Sequence, residues 1–381
     1  MNQKSVVYIN FSQYDNTGRI LDYLREQFDT VLHFSFDHLR LKNGRKTNLI
    51  TLYHKGGKPQ QKKLYSLLVP SFLLFPSLPA VAFFMVFQAI KHTLGFRKQI
   101  GLPIFFTVNA YSALIGILLR SMGLVSHVYY WVWDYFPVRG PSLPLKIIRY
   151  AYLGFDMLAL RLSDTLIFPN HKQRKLRQKL HGIHGSYKII PLGSSKPVRS
   201  YQKNSDTIGF LGMIKDSQGI DLILSCFDQI LLKNPNIRFD IIGSGPDEER
   251  IRKAAQKYGN RVKFYGYIDD QNIINKIVRS WFVGLAIYEP VEGNESYFGD
   301  PSKIKVYLSQ AVPIVTTHVT DYGRHAERYG FGITIPYQSK KLVESIEHIH
   351  KRQLTFRRKA LAFAHRMYYR KVYQPMFQSL P

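Results

Sequence analysis

The stretch "RFDIIGSGPDEERI", residues 238–251, contains the pattern of a buried strand, a glycine turn and the start of a helix. Its first half is rich in apolar residues, namely Phe239, Ile241 and Ile242, as in strands of parallel sheets, and "DEERI" opens a helical spacing of apolar residues. Glycines at such a turn let the backbone approach a ligand closely, and a helix N-terminus favours a phosphate. A tight strand–helix turn also needs glycine for its own geometry, and the sequence leaves both interpretations open. In either case the stretch predicts a parallel α/β sheet.

The alternation of strand and helix continues on both sides of this stretch. Short strand patterns are separated by helical ones, namely "SVVYINF", "PIFFTVN", "HVYYWVW" and "DTLIFPN" in the first half and "IGFLG", "VKFYG", "VGLAIY" and "VPIVTT" in the second. A chain of 381 residues is also too long for one ordinary core. We therefore predict two Rossmann-like, doubly wound domains that face a cleft, residues 1–197 and 198–356, followed by a basic helix over 357–381.

Positive charge dominates the composition. The formal net charge is +27 and the pI is about 9.9, which predicts anionic partners. Residues 38–133 contain twelve Lys and Arg and neither Asp nor Glu, so the excess lies mainly in the first half. The single cysteine, Cys226, excludes an intrachain disulfide, and the start "MNQKSVVYINFSQ" lacks the pattern of a signal peptide. These features predict a cytosolic protein.

An uncharged apolar segment, Leu64–Ile90, lies inside the basic region. It is long enough for a transmembrane helix, but Pro70, Pro76 and Pro79 interrupt it, and the helical part from Ala80 onwards is too short to span. Three interpretations stay open: a segment that docks on the membrane, a true span and a buried core segment. Nucleic acid explains the charge alone, whereas an anionic membrane surface explains both the charge and the apolar segment.

A second informative stretch is "YFGDPSKIKVYLSQAVPIVTT", Tyr297–Thr317. Asp300 followed by Pro301 predicts a helix cap and a first helical residue, which places Ser302 and Lys303 in the first turn. Lysine in that turn opposes the helix dipole, unless an anion such as a diphosphate binds beside it. The alternative is an exposed lysine that costs only a few tenths of a kcal/mol.

Several stretches together resemble the C-terminal domain of family-4 glycosyltransferases with the GT-B fold. They cover roughly residues 205–336 in the right order and are "GFLGMIKDSQGIDLILSCFDQI", "RFDIIGSGPDEERI", "VKFYGYIDDQNI" and "DPSKIKVYLSQAVPIVTT". The first half is similar more loosely, through "SDTLIFPN" and "KIIPLGS". The resemblance implies two Rossmann-like domains that enclose a UDP- or GDP-linked sugar, transfer with retention, no metal or other cofactor, and a C-terminal helix that returns to the first domain.

The resemblance also implies a set of donor-binding residues. Gly212 with its loop, Gly243 and Gly245 would approach the diphosphate, and Tyr267 and Ile268 would border the base. The segment from Phe298 to Lys303 would hold the phosphates and the sugar, through Gly299, Asp300, Ser302 and Lys303. In the first domain, Gly18 would face the donor, with Arg19 as a phosphate partner.

Four positions depart from the family pattern. Met213 stands where the family usually has an arginine, and Gln218 where it has a lysine, which leaves Lys215 and Lys303 as replacements. Phe298 and Val306 occupy the positions of two glutamates, the second of which contacts the ribose in the family. Glu289, Glu292 and Glu295 lie just upstream as substitutes.

The stretch "HVYYWVWDYFP" contains Asp134, the only acidic residue between Asp37 and Asp156. It follows a first-domain strand, where the family presents a polar residue to the cleft. A carboxylate there would stabilise an oxocarbenium-like transition state or orient the acceptor hydroxyl, so we predict Asp134 as the catalytic residue. The alternative is a turn residue, or one that pairs with Arg139.

The resemblance thus implies a glycosyltransferase of the hexosyltransferase type, with retention. Its acceptor would be a lipid-linked or cell-envelope glycan, and its location the inner face of the membrane, peripheral or monotopic, in contact with anionic lipid. A second hypothesis is a membrane-associated scaffold subunit with a decayed donor site, motivated by Met213, Gln218 and Val306. A nucleic-acid binder ranks last, because no recognised motif accompanies the charge.

Overall fold

The computed structural model describes residues 5–10, 18–36, 48–65, 78–133, 135, 143–183, 186–201, 204–291 and 294–378. The chain divides into two compact units, Met1–Pro191 and Leu192–Pro381. The boundary expected from the sequence follows Pro197, six residues further on. Each unit consists of a largely or wholly parallel sheet with helices packed against it, as the alternating pattern predicts.

The sheet of the first unit contains eight strands in the order β4-β3-β2-β1-β5-β6-β7-β8. The strands are β1 (Ser5–Asn10), β2 (Thr30–Ser35), β3 (Leu49–His54), β4 (Gln60–Lys63), β5 (Ile104–Thr107), β6 (Val128–Trp131), β7 (Thr165–Phe168) and β8 (Tyr187–Ile189). Six of them form a parallel Rossmann-like sheet, and β3 and β4 extend its edge as an antiparallel pair. The sequence does not predict this pair, because the exposed, polar strand "QQKK" carries no strand signal.

The helices of the first unit are α1 (Ile20–Gln27), α2 (Leu78–Gly95), α3 (Arg97–Ile100), α4 (Ala110–Ser121), α5 (Leu143–Leu162) and α6 (His171–His181). The predicted apolar segment Leu64–Ile90 is only partly described, since residues 66–77 lie outside the described ranges. Leu64 and three residues of α2, Val81, Met85 and Ala89, are buried in the first-unit core. In the described ranges, no helix combines the length and the apolar composition needed to cross a membrane.

The second unit has a six-stranded, wholly parallel sheet in the order β11-β10-β9-β12-β13-β14. The strands are β9 (Thr207–Leu211), β10 (Arg238–Ile242), β11 (Val262–Gly266), β12 (Val283–Ala286), β13 (Ile314–Thr317) and β14 (Gly332–Ile335). The chain winds outwards from β9 to β11 and then restarts at β12 on the other side of β9. This reversal is a topological switch point, where a crevice opens at the carboxyl ends of the strands.

Helices cover both faces of this sheet. They are α7 (Ile220–Ser225), α8 (Phe227–Lys233), α9 (Glu248–Ala255), α10 (Gln271–Arg279), α11 (Ser302–Ser309), α12 (Tyr322–Tyr329), α13 (Ser339–Lys351), α14 (Gln353–Ala364) and α15 (Tyr369–Val372). The pattern at residues 220–233 predicts one helix, which is wrong: the backbone leaves the helical region at Cys226 (φ −110°, ψ 7°), and both pieces bury side chains in the same core. Helix α14 packs against α11 within the second unit, and a return of residues 357–381 to the first domain stays a prediction.

Candidate functional site

The loops that follow β9, β10 and β11 are tied together by backbone hydrogen bonds at the switch point. Gly212 N donates to Ile242 O at 2.9 Å, Gly243 N donates to Gly266 O at 2.7 Å, and Ile214 N donates to Ser244 O at 3.0 Å. These bonds bring the predicted glycines 212, 243 and 245 to one edge of the second-unit sheet. This edge is where parallel α/β sheets bind ligands.

Packing between the loops accounts for Gly243 and Gly245. A Cβ on Gly243 would lie 1.9 Å from Gly212 O, and one on Gly245 would lie 2.2 Å from Ile214 O. The helix that follows, α9, carries Glu248 and Glu249 in its first turn, and these carboxylates repel an anion there. For these two glycines the geometry favours the turn interpretation over direct phosphate contact.

Gly243→Ala is expected to destabilise the second unit by about 3 kcal/mol or more, because the new methyl meets backbone and φ is +133°. Thermal unfolding followed by circular dichroism measures this. Gly299→Ala is the matched control, since a Cβ there finds no atom closer than 3.7 Å and should change stability by less than about 1 kcal/mol. Equal melting temperatures for the two variants would contradict the loop packing described here.

Lys303 is the central side chain of the crevice. It lies in the first turn of α11, and its Nζ donates to Gln218 Oε1 at 2.7 Å. The same Nζ lies 3.0 Å from the position of a Cβ on Gly212 and 4.4 and 5.3 Å from the ring centroids of Phe210 and Tyr288. Lys303 is therefore a buried amine between the loop after β9 and the start of α11.

No carboxylate among the described residues forms an ion pair with Lys303, although the residue is only 8% exposed. Burial, together with the smaller effect of the nearby Lys215 charge, lowers the pKa of its ammonium group to about 7. A buried amine whose only polar contact within the described part of the chain is an amide oxygen is ready to bind an anion.

Lys215, the other predicted replacement cation, is in a different environment. Its Nζ pairs with Glu295 Oε2 at 3.1 Å, and both side chains are partly exposed. Glu295 is also one of the glutamates predicted as a substitute ribose contact, so the two predicted roles are joined in one ion pair. Met213, at the family's arginine position, is about half exposed. The cation next to the loop therefore comes from α11, beside Gln218, rather than from positions 213 or 218.

Asp300 does not cap helix α11 as the sequence predicts. The N-cap residue is Pro301, which makes no side-chain cap bond. Asp300 Oδ2 instead accepts a hydrogen bond from Leu192 N at 2.6 Å, and Oδ1 pairs with Lys305 Nζ. Both side chains of this pair are almost fully buried, so the carboxylate organises the loop and is neutralised there.

The remaining predicted donor residues lie around this centre. Ser302 is exposed at the first position of α11, and Gly299 precedes it in an open loop. Tyr267 and Ile268 follow β11, where the Tyr267 hydroxyl donates to Asp269 Oδ1 at 2.8 Å and Ile268 packs against the second-unit core. Val306 also packs against that core. The ribose contact that the family's glutamate makes therefore has no equivalent at this position.

In the first unit, Gly18 and Arg19 adopt left-handed backbone conformations, with φ of 74° and 63°, just before α1. Arg19 Nε pairs with Asp22 Oδ2 at 2.6 Å on the same helix. Asp134 lies outside the described residues. Its neighbour Trp133 is buried, with its carbonyl accepting from Gln173 Nε2 at 3.2 Å.

The sequence alone indicates neither the two rings beside Lys303 nor a buried ionic cluster in the first unit. In that cluster Arg177 Nε pairs with Asp156 Oδ2 at 2.6 Å, and the Tyr130 hydroxyl donates to Asp156 Oδ1 at 2.8 Å. No local pattern indicates these contacts, because the partners come from β6, α5 and α6. Across the described ranges, no group of three or more His, Cys, Asp or Glu is arranged to hold a metal ion.

Comparison with known proteins agrees with this architecture. Residues 195–293 match the family described as glycosyl transferases group 1. The fold is similar to that of sucrose-phosphate synthase from Thermosynechococcus elongatus, with 17% identity, coverage of 99% of this chain and 98% of that one, and a TM-score of 0.70. It is also similar to that of Anabaena HepE in complex with UDP, with 14% identity, coverage of 98% of each chain and a TM-score of 0.63.

A third similar structure is WaaG, a glycosyltransferase involved in lipopolysaccharide biosynthesis, with 12% identity, coverage of 98% of this chain and 100% of that one, and a TM-score of 0.64. No curated protein sequence matches the chain significantly. The structural likenesses confirm the predicted fold class, and the family match lies on the unit that carries the crevice. The chain has the GT-B fold of these structures, and its residues 195–293 match the family described as glycosyl transferases group 1.

Proposed function

We propose that the protein is a retaining glycosyltransferase of family 4 that moves a sugar from a UDP-sugar to a lipid-linked or cell-envelope glycan. The observation that carries this proposal is Lys303, a buried amine at the switch point with no carboxylate partner in the described ranges. UDP is the preferred nucleotide because the similar HepE structure contains it, and GDP is the alternative.

The position of Lys303 also argues against a decayed donor site. Burying an ammonium group without a carboxylate costs several kcal/mol, and a bound diphosphate offsets that cost. A scaffold subunit that binds no donor has no use for such a cation. Met213 and Gln218 replace the family's two cations, and Lys303 would supply the positive charge in their place, since its Nζ contacts Gln218 directly.

The proposed reaction breaks the bond between the anomeric carbon and the diphosphate oxygen. The electron pair stays with UDP, and Lys303 stabilises the negative charge that develops there. The acceptor hydroxyl oxygen forms the new bond on the same face of the sugar, and its proton passes to the departing diphosphate oxygen. Asp134 is proposed to stabilise the positive charge on the sugar or to orient that hydroxyl. The nucleotide-sugar is a substrate, and the proposed step uses no cofactor.

The domain roles follow from the same proposal. Residues 198–356 bind the nucleotide-sugar, residues 1–197 face the acceptor and the membrane, and residues 357–381 return to the first domain. The basic first half supports work at the anionic inner face of the membrane, as a peripheral or monotopic protein. The similarity to WaaG, which acts in lipopolysaccharide biosynthesis, supports an envelope glycan as the acceptor.

Calorimetric titration of the purified protein with UDP, GDP and their common sugars tests the proposal. Micromolar binding of UDP, and turnover of one UDP-sugar that is lost in Asp134→Ala, is the expected result. Full turnover in that variant would remove Asp134 from the mechanism. Folded protein that binds none of these nucleotides would overturn the enzymatic proposal in favour of the scaffold subunit.

A further inference from the structure

Helix α5 of the first unit exposes a continuous apolar stripe. Leu143, Ile147, Tyr150 and Leu158 are between 44 and 70% exposed, and their spacing together with Gly154 places them on one side of the helix. The opposite side packs against the first-unit core towards the C-terminal end of the helix, where Ala159 and Leu160 are buried. A twenty-residue helix with apolar residues on both sides is unusual on the surface of a protein in water, and such exposed patches mark interaction sites.

The neighbouring helices extend this surface. Helix α4 packs against both α5 and α2, and Tyr111 of α4 meets the ring of Phe155 of α5 at 6.2 Å between centroids. Right-handed crossovers place the helices that follow β5 and β6 on the same side of the sheet. On α2, Phe83 and Phe87 are 68 and 52% exposed, one turn apart. We refer to the outer sides of α2 and α5 as the α2/α5 surface.

Charge around the α2/α5 surface is almost entirely positive. Residues 78–181 contain thirteen Lys and Arg, three Asp and no Glu. Two of these aspartates are neutralised, Asp156 by Arg177 and Asp164 by Arg120, and Asp134 lies outside the described residues. The exposed cations Lys91, Lys98, Lys146 and Arg161 lie on or beside the two helices. Cations that border an apolar stripe are typical of segments that lie in the interface of an anionic bilayer.

We propose that the α2/α5 surface docks the first unit onto an anionic lipid bilayer, with the apolar stripe of α5 inserted among the headgroups. This rests on the proposed function, which places the enzyme at the membrane. A second copy of the chain fits the surface poorly, because pairing two such faces would bring like charges together. One interpretation of the sequence has Leu64–Ile90 dock on the membrane. On the α2/α5 surface, α2 contributes only its outer side, and most of the apolar contact comes from α5, outside Leu64–Ile90.

Flotation of the full chain with lipid vesicles tests this surface. We expect binding to vesicles of phosphatidylcholine mixed with phosphatidylglycerol, and weaker binding to phosphatidylcholine alone. Replacing Ile147 and Leu158 together by glutamate should weaken binding to the mixed vesicles at least about tenfold, because two apolar contacts are lost and two like charges face the lipid. Leu232→Glu, on α8 of the second unit and 84% exposed in the wild type, is the matched control and should bind as the wild type does.

Three outcomes would overturn the proposal. They are no binding of the wild type to either vesicle, equal binding by the double variant, and a wild-type dimer that the double variant dissociates, which would indicate a second copy instead. UDP titration of the same samples shows whether the variant is folded and tests the proposed function separately. If the double variant does not fold, Phe83→Glu with Phe87→Glu tests the α2 side. Vesicle binding without UDP binding would support the surface while contradicting the donor site.

Discussion

Lys303→Met is expected to weaken UDP binding by roughly 30- to 150-fold, which corresponds to the loss of about 2–3 kcal/mol for a hydrogen bond to a charged group. The structure provides no second unpaired cation in the described part of this crevice, since Lys215 already pairs with Glu295. The same substitution should leave the free energy of unfolding unchanged or higher, because it removes a buried amine that has no carboxylate partner. Affinity and stability therefore change in opposite senses.

Calorimetry with UDP and thermal unfolding measure the two effects on the same samples. Exchanging the two side chains, with Lys303→Gln and Gln218→Lys in one protein, should recover part of the affinity, because the donor and the acceptor at 2.7 Å only change places. Methionine at position 303 with unchanged UDP affinity would show that the diphosphate binds elsewhere.

The pH dependence gives an independent check on Lys303. Burial lowers its pKa to about 7, against an ordinary value near 10.5 in the unfolded chain. The unfolded state therefore holds the proton more tightly, so this residue makes stability rise as the pH increases from about 7 towards 10.5. Binding of an anion requires the protonated amine, so UDP affinity should fall above pH 7, by up to about tenfold per pH unit. In Lys303→Met, the contribution of this residue to the rise of stability with pH and to the fall of UDP affinity with pH should be absent.

Asp300→Asn is expected to destabilise the second unit by about 3–5 kcal/mol, because it leaves the buried Lys305 ammonium without its carboxylate. The asparagine oxygen can still accept from Leu192 N, so the loss reports on the ion pair. If Asp300 only capped a helix, as the sequence predicts, its substitution would lower the free energy of unfolding by about 1 kcal/mol. The size of the loss distinguishes the two roles.

Urea denaturation at neutral pH measures this loss, and the double variant with Lys305→Met supplies the control. Removing both charges should recover most of the stability, since no buried charge is then left unpaired. Losses that simply add in the double variant would mean that Asp300 and Lys305 act independently and that the pair described here is wrong.

Much of the fold is predictable from local patterns. The strands from "IGFLG" to "VPIVTT" and the helices between them occur where periodicity indicates, because burial on both faces makes parallel strands rich in apolar residues. The break at Cys226 and the β3–β4 pair are not predictable in this way. A helix break inside an apolar pattern and an exposed polar strand depend on what packs beside them.

The candidate site shows the same division. Glycines 212, 243 and 245 are visible in the sequence, but their reason is not: two of them are required by the backbone of a neighbouring loop. Lys303 stands out as a lysine in the first turn of a helix, whereas Lys305, two residues further on, does not. Only the packing shows that Lys305 has a carboxylate partner and that Lys303 has none in the described ranges.

Composition and periodicity alone thus establish an α/β chain of two domains, a strongly basic first half and a crevice lined by glycines. These features are local, since each depends on spacing along the chain or on counts of charged groups. The tertiary structure decides which buried lysine has no carboxylate partner in the described ranges and which helix exposes an apolar face. Both answers depend on contacts between segments far apart in sequence, because desolvation and ion pairing are set by neighbours in space.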